Sequence, residues 1–220
     1  MIDKLTRKSR ADGEQSRERL LLAAMKLFGE QGFSSTSTRE IALAAGANVS
    51  AISYYFGDKA GLYKAALTDF LPPPQKNIEM FDQPGFTLRQ SLEGYYAQLL
   101  GPMLEGDDAE LALRLWLREV LEPRGVWAEE LNTGIRAEHM AFAAVLARHL
   151  GGPVDDDIHR LVHACAAFGV HLMIGGDVIK ALTPQLLSGP EALRDWIPRL
   201  ADFAEAIVLA EQQKRQKGAV

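Results

Sequence analysis

Apolar residues recur at steps of three and four along most of the chain, and no stretch alternates with a period of two for the length of a strand. This pattern predicts an all-α fold. The two clearest apolar stripes lie towards the C-terminus. The first comprises Ile158, Leu161, Val162, Cys165, Phe168, Leu172 and Met173, and the second comprises Leu193, Trp196, Ile197, Leu200, Ala204, Ile207 and Val208.

Start and stop signals place two helices at the beginning of the chain. The first is predicted from about Glu14 to Gln31, with Gly32 just past its end as a C-terminal stop. Ser37 followed three residues later by Glu40 has the form of a capping box, which predicts a second helix immediately afterwards. Gly46 ends that helix after about two turns.

Two more N-cap residues and a proline run complete the first third of the chain. Asn48 is the predicted N-cap of a third short helix, and Asp58 is that of a fourth. Pro72 to Pro74 stop the fourth helix, because proline lacks the amide donor and disfavours the α conformation at the preceding residue. We therefore predict one domain at 1–71 and a second at 72–220.

Beyond the prolines the pattern predicts longer helices that form a bundle. Their predicted ranges are Thr87 to about Leu104, Asp108 to Glu122, Val126 to Leu150, Asp155 to about Leu182, and Pro190 to Gln213.

Charge is distributed unevenly along the chain. Residues 1–64 hold 10 Lys and Arg against 7 Asp and Glu, whereas the remainder holds 14 against 22, so that a net charge of −5 conceals a positive N-terminal part. A basic arm precedes the first predicted helix and consists of Lys4, Arg7, Lys8 and Arg10. Such an arm is typical of a segment that touches phosphates, although basic tails also occur as solubility features.

Targeting and redox signals are few. Cys165 is the single cysteine, and residues 1–4 show no apolar core of a secretory signal. The most apolar stretch, Ala164 to Gly176, is shorter than the roughly 20 residues of a membrane span. We expect a cytoplasmic protein with no membrane association.

The second and third predicted helices have the spacing of a helix-turn-helix. They are joined by Ala45-Gly46-Ala47-Asn48, and a short turn that contains glycine sets two helices at a steep angle. The later helix could then project into a DNA groove about 12 Å wide. Its predicted outer face carries small or hydrogen-bonding side chains, namely Asn48, Ser50, Ala51, Ser53 and Tyr54.

The run from Thr38 to Leu62 resembles the DNA-binding signature of the TetR family of bacterial repressors, and Leu21 to Phe33 resembles that family's first helix. The resemblance implies that Thr38 and Arg39 contact the DNA backbone or a base edge. It implies that Tyr55 and Lys59 contact phosphates, and that Asn48, Ser50, Ala51, Ser53 and Tyr54 lie on the recognition helix. Arg118-Glu119 followed by Glu122-Pro123 also resembles the CecR subgroup of regulators.

Helix-turn-helix proteins commonly bind as symmetric dimers to two half-sites of double-stranded operator DNA. We therefore expect a homodimer through the two long C-terminal helices, which can form an intermolecular four-helix bundle. Ala164, Ala167 and Gly169 would allow close approach of the helices. The alternative is that the same stripes form the core of the monomer.

The resemblance also implies a pocket for a small-molecule effector in the second domain. Its candidate lining residues are Tyr95, Leu99, Met103, Trp116, Phe142, His163, Phe168 and His171, for each of which core packing is the alternative. His159 and His163 are four residues apart, which is a metal-ligand spacing, but no carboxylate or cysteine completes a set. We expect neither a metal site nor a cofactor.

No motif for catalysis was found in the sequence. The helix-turn-helix and the family resemblance predict a DNA-binding regulator rather than an enzyme. We expect a repressor that a ligand releases from a palindromic operator, with Pro72 to Pro74 transmitting the effect of the ligand to the DNA-binding domain. A helical protein-interaction module and a metal-binding helical protein are the alternatives.

Overall fold

The computed structural model describes residues 2–69, 72–104, 106–123 and 134–218, without the side chains of 2–11, 107–110 and 218. In these ranges the chain is helical and contains no strand, which confirms the all-α prediction. The first helices are α1 (Ile2–Gln31), α2 (Thr38–Ala44), α3 (Val49–Phe56), α4 (Lys59–Thr68), α5 (Pro74–Phe81), α6 (Leu88–Leu104) and α7 (Asp107–Leu121). They are followed by α8 (Arg136–Leu150), α9 (Asp156–Ile174), α10 (Gly176–Leu182), a 3₁₀ turn (Pro184–Leu187), α11 (Pro190–Arg194) and α12 (Trp196–Gly218).

The chain forms two compact units that are not continuous in sequence. The first comprises Met1–Leu71 with Asp107–Trp127, and the second comprises Pro72–Gly106 with Ala128–Val220. The sequence interpretation placed α7 in the second domain, but α7 packs with the first unit. The reason is that Leu115 is fully buried among the apolar side chains of α1, α2 and α4.

The caps predicted for the first unit are present. Ser37 and Glu40 form a reciprocal capping box at α2, and the side chains of Asn48 and Asp58 cap α3 and α4. Their oxygens satisfy amide groups that have no partner inside the helix. The first helix is longer than predicted, since α1 begins at Ile2, in a segment without proline. The side chains of the predicted basic arm, Lys4, Arg7, Lys8 and Arg10, lie outside the described residues.

The second unit is built around buried aromatic rings. Tyr95 and Phe142 stack face to face with their ring centroids 3.9 Å apart, and the edge of Phe81 meets both rings. Phe81 comes from α5, a helix that the sequence analysis missed. Three prolines indicated only a break, yet Pro74 occupies the first turn of α5, where the missing amide donor costs nothing.

Two predicted helices are each divided. The stretch from Asp155 to Leu182 breaks at Gly175, where α9 and α10 meet at 71°. The stretch from Pro190 breaks at Asp195, between α11 and α12. Pro198 accounts for the second break, because its ring would clash with the carbonyl of Arg194 in one continuous helix.

Within the described ranges, no single helix is both long and apolar enough to span a membrane. The bent pair of α9 and α10 meets the length and composition criteria only when the two helices are counted together.

Candidate DNA-binding surface

The turn between α2 and α3 is fixed by backbone geometry. Gly46 adopts a φ of 59°, in the left-handed region that favours glycine. The amide of Ala47 donates to the carbonyl of Ala42 at 2.9 Å, and the amide of Gly46 donates to that of Leu43 at 3.1 Å. These bonds close the C-terminus of α2 and direct the chain into α3.

One side of α3 is held by the core, and the other is open. Ile52 is 2% exposed among the apolar side chains of α1, α2 and α4. Asn48 Oδ1 accepts hydrogen bonds from the amide of Ser50 at 2.9 Å and from its hydroxyl at 2.8 Å. Cap and core together therefore fix both the start and the rotation of this short helix.

The structure brings several of the predicted DNA contacts together on the open side of α3. Asn48, Ser50 and Ser53 are exposed, and the side chain of Tyr54 is 82% exposed. The edge of the Tyr54 ring meets that of Tyr55, with the centroids 4.9 Å apart. A large aromatic residue with this exposure is available to contact another molecule.

Other predicted contacts are half-buried. Ala51 and Tyr55 pack partly against the core of the first unit, and Thr38 is half-buried in the first turn of α2. Lys59 is half-buried at the start of α4, with its Nζ 4.3 Å from the centroid of the Phe33 ring. These residues contribute to packing within the unit, which leaves only part of each side chain for DNA.

The exposed face of α2 carries one feature that the sequence analysis did not single out. Arg39 is exposed, and Leu43, four residues later on the same face, is 83% exposed. The four-residue spacing between Arg39 and Leu43 could have predicted that both side chains lie on the same face of α2. An aliphatic side chain beside a cation can meet apolar groups, such as a thymine methyl, as well as phosphate.

Gly61 was also missed, and it determines how closely α4 approaches the end of α3. A Cβ at this position would lie 2.0 Å from the carbonyl oxygen of Phe56. No side chain fits there, so only glycine allows the N-terminus of α4 to lie against the end of α3. Asp58 Oδ1 accepts the amide of Gly61 at 2.8 Å and fixes the same junction.

Polar contacts hold α7 against α1 and α4 within the first unit. The Tyr63 hydroxyl donates to Oε2 of Glu119 at 2.8 Å, and both side chains are buried. Arg118 Nη1 donates to the carbonyls of Gly29 and Glu30, at 3.1 and 3.4 Å, near the C-terminus of α1. A cation is favourable there because the last carbonyls of a helix carry partial negative charge.

Five of the eight candidate effector residues share the hydrophobic core of the second unit. Trp116 packs against the core of the first unit, whereas the other candidates belong to the second unit. Tyr95 and Phe142 are buried in the stacked aromatic cluster, and that burial raises the pKa of the Tyr95 hydroxyl well above its usual value. Leu99, Met103 and Phe168 are half-buried around this core, whereas His163 and His171 are exposed.

Three histidines lie together on α8 and α9, although their sequence spacing did not predict it. His139 Nε2 and His159 Nδ1 are 2.9 Å apart, and the ring centroids of His139 and His163 are 4.9 Å apart. Burial and the neighbouring His163, His159 and Arg136 lower the pKa of His139. Among the residues with described side chains, no set of three or more His, Cys, Asp or Glu is arranged to hold a metal ion.

Comparison with known proteins extends the sequence resemblance over most of the chain. Residues 20–66 match the family of bacterial regulatory proteins, tetR family, and residues 88–210 match the C-terminal domain of the HTH-type transcriptional dual regulator CecR. The CecR regulator of Shigella flexneri is 30% identical over 168 residues, which cover 71% of this chain and 74% of that protein. The probable HTH-type transcriptional regulator YttP of Bacillus subtilis is 41% identical over 132 residues, covering 60% of this chain and 63% of that protein.

Solved structures support the fold. A regulatory protein of the tetR family from Rhodococcus RHA1 superposes with a TM-score of 0.65 at 16% identity, over 88% of this chain and 96% of that one. NalD, the secondary repressor of the MexAB-OprM multidrug efflux pump in Pseudomonas aeruginosa, gives a TM-score of 0.55 at 22% identity, over 88% of this chain and 97% of its own. These comparisons confirm the family predicted from the motif. The chain thus belongs to the tetR family of bacterial regulatory proteins, carries a C-terminal part of the CecR type, and is a helix-turn-helix transcriptional regulator.

Proposed function

We propose that α3 enters the major groove of operator DNA and reads bases with Asn48, Ser53 and Tyr54. One observation carries the proposal: these side chains are exposed on a helix whose opposite side is held in the core by Ile52. Amide and hydroxyl groups can hydrogen-bond to base edges in that groove. Ser50, whose hydroxyl donates to Asn48, and the half-buried Ala51 lie beside them on the same helix.

Residues outside α3 position the protein on the DNA backbone in this proposal. Thr38 and Arg39, at the start of α2, contact phosphate or a base edge, and Tyr55 and Lys59 contact phosphates. Contacts of this kind fix the register of the protein but carry no sequence information. The net positive charge of the N-terminal part favours the same placement.

Selection of bound duplexes from a random pool tests this proposal. Binding of the selected duplex is then followed by fluorescence anisotropy over a range of salt concentrations, and affinity should fall steeply as salt rises. Ser53→Ala and Tyr54→Ala should each weaken specific binding by about tenfold or more, the usual range for a lost base contact. Ser188→Ala, an exposed serine in the second unit, is the matched control. Unchanged sequence preference in both α3 variants would contradict the proposal.

The proposed assembly on DNA is a homodimer formed through α9 and α12. His163, Ala167 and His171 lie four residues apart on the exposed side of α9, and Phe203, Ala206 and Leu209 are exposed on α12. The row on α12 is apolar, and the row on α9 places a small residue between two histidines. Such a surface can form an isologous interface, in which the same patch of each copy meets its counterpart. The pair would place two recognition helices on half-sites about 34–36 Å apart, or a multiple of this spacing. Sedimentation analysis of the free protein and of its DNA complex tests the stoichiometry.

The proposed regulation is relief of repression by a small-molecule effector in the second unit. Leu99, Met103 and Phe168, which are only half-buried around the core, are the favoured contacts. A ligand lowers DNA affinity only by as much as it prefers the state that does not bind DNA. A screen for compounds that both raise the melting temperature and release the selected duplex tests this step. Reporter expression with and without the regulator shows whether it represses or activates transcription. This distinction matters because the CecR relative is named a dual regulator.

The proline run is the proposed transmission point between effector and DNA. Pro73 and Pro74 lead directly into α5, whose Phe81 belongs to the core of the second unit. Replacing Pro72 to Pro74 by alanine should change the response to the effector more than the DNA affinity without it. An unchanged response would contradict this role.

A further inference from the structure

The region where α9 and α10 meet exposes an aliphatic surface that nothing within the described chain covers. Ile174, Val178, Leu182 and Leu186, here called the elbow patch, are 63%, 59%, 76% and 40% exposed. They recur every four residues. Scattered exposed apolar residues are common, but four large ones in one short segment are a concentration typical of an interaction site.

The elbow patch belongs to an ordered part of the fold. Beneath it, Ile179 packs against the core of the second unit. The indole nitrogen of Trp196 donates to the carbonyl of Leu186 at 3.0 Å, and the Thr183 hydroxyl donates to the carbonyl of Ile179 at 3.2 Å. The segment is therefore fixed on its inner side, while the four patch residues stay exposed.

The low charge of the segment that carries the patch favours a protein partner over a lipid surface. Residues 174–189 contain one cation, Lys180, and one anion, Asp177. Helices that lie on membrane surfaces are instead rich in Lys and Arg on their polar face. None of the four patch residues is charged, so the same patch on another copy can meet it without charge repulsion.

The patch also continues a row that already belongs to the proposed dimer surface. Ala167 and His171 are exposed on α9, and Ile174 follows His171 after three residues on the same side of the helix. We propose that the elbow patch packs against a second copy of this chain and extends the dimer interface from α9 and α12 onto α10. This inference rests on the proposed dimer.

A charge-reversal comparison on α10 tests the inference. The double variant Val178→Glu and Leu182→Glu adds two negative charges within the patch, whereas Lys180→Glu makes the same net change on another side of the same helix. The dimer dissociation constant is measured for each by sedimentation velocity over a concentration series. The double variant should raise it by about 100-fold or more, because two aliphatic side chains per subunit lose their burial. Lys180→Glu should change it less than about threefold.

Supporting measurements distinguish the possible failures. Circular dichroism should give the double variant the helix content of the wild type, since both residues are exposed in the protomer. Amide exchange at 176–187 should slow as protein concentration rises through the dimer transition. If the double variant dimerises like the wild type, the elbow inference is wrong and the proposed dimer stands. If the wild type stays monomeric even on its selected duplex, the elbow inference and the proposed dimer both fail. The inference is also overturned if the patch binds neutral phosphatidylcholine vesicles while the double variant dimerises like the wild type.

Discussion

Tyr63→Phe isolates the hydrogen bond that joins α4 to α7. The substitution removes only the hydroxyl that donates to Glu119 at 2.8 Å, and it keeps the ring, whose edge contacts Phe28 and Phe33 at centroid distances of 5.1 Å each. Tyr63 is 4% exposed and Glu119 is 1% exposed, so water cannot readily replace the lost donor. Leaving a buried hydrogen-bonding group without its partner costs about 1–3 kcal/mol. We expect the free energy of unfolding of the first unit to fall by that amount.

Urea unfolding monitored by circular dichroism measures the loss, and native-state hydrogen exchange of the α4 and α7 amides assigns it to the first unit. Tyr54→Phe is the matched control, because the side chain of Tyr54 is 82% exposed and its hydroxyl faces solvent. The control should change stability by less than about 0.5 kcal/mol. Glu119→Gln alone and combined with Tyr63→Phe completes a double-mutant cycle. A loss below about 0.5 kcal/mol with no coupling in the cycle would refute the argument that this bond holds α7 in place.

Four further outcomes are expected. Gly61→Ala should destabilise the first unit by about 1–3 kcal/mol and weaken DNA binding, because its Cβ would lie 2.0 Å from the Phe56 carbonyl oxygen. Gly29→Ala, whose Cβ would be 3.9 Å from its nearest neighbour, should stabilise the same unit by about 0.5–1 kcal/mol in the same urea titration. Ser37→Ala should lower the thermal stability by about 1 kcal/mol, because α2 loses its capping box, and an unchanged melting temperature would count against that cap. The pKa of His139 is lowered from 6.5 in the folded protein, so the unfolded state takes up a proton first as the pH falls. The free energy of unfolding of the second unit should therefore decrease as the pH drops below about 6.5. His139→Gln should flatten this pH dependence.

Local signals made the helices of the DNA-binding surface predictable. Ser37, Asn48 and Asp58 each satisfy amides within three residues, so the information needed to place α2, α3 and α4 lies inside a short window. The exposed polar side of α3 followed from the same local periodicity, which placed Ile52 in the core.

Contacts between distant segments could not be predicted in the same way. The bond between Tyr63 and Glu119 joins residues 56 positions apart, and the burial of Leu115 in the first unit depends on the path of the intervening chain. Apolar periodicity reports that a residue is buried but not against which element, so α7 with its Trp116 was assigned to the second unit although it packs with the first. The cluster of His139 with His159 and His163 depends likewise on how α8 and α9 pack.

The placement of α7 also determines how the protein can be engineered or recombined. Leu115 is part of the core of the first unit. A fragment that ends after α4 would lack this side chain, and the apolar residues around it would be exposed to water. A chimera that joins this first unit to the second unit of another regulator must therefore exchange two separate stretches of chain at once. The junction at the prolines must be combined with a crossover on either side of α7, so that α7 stays with α1 to α4.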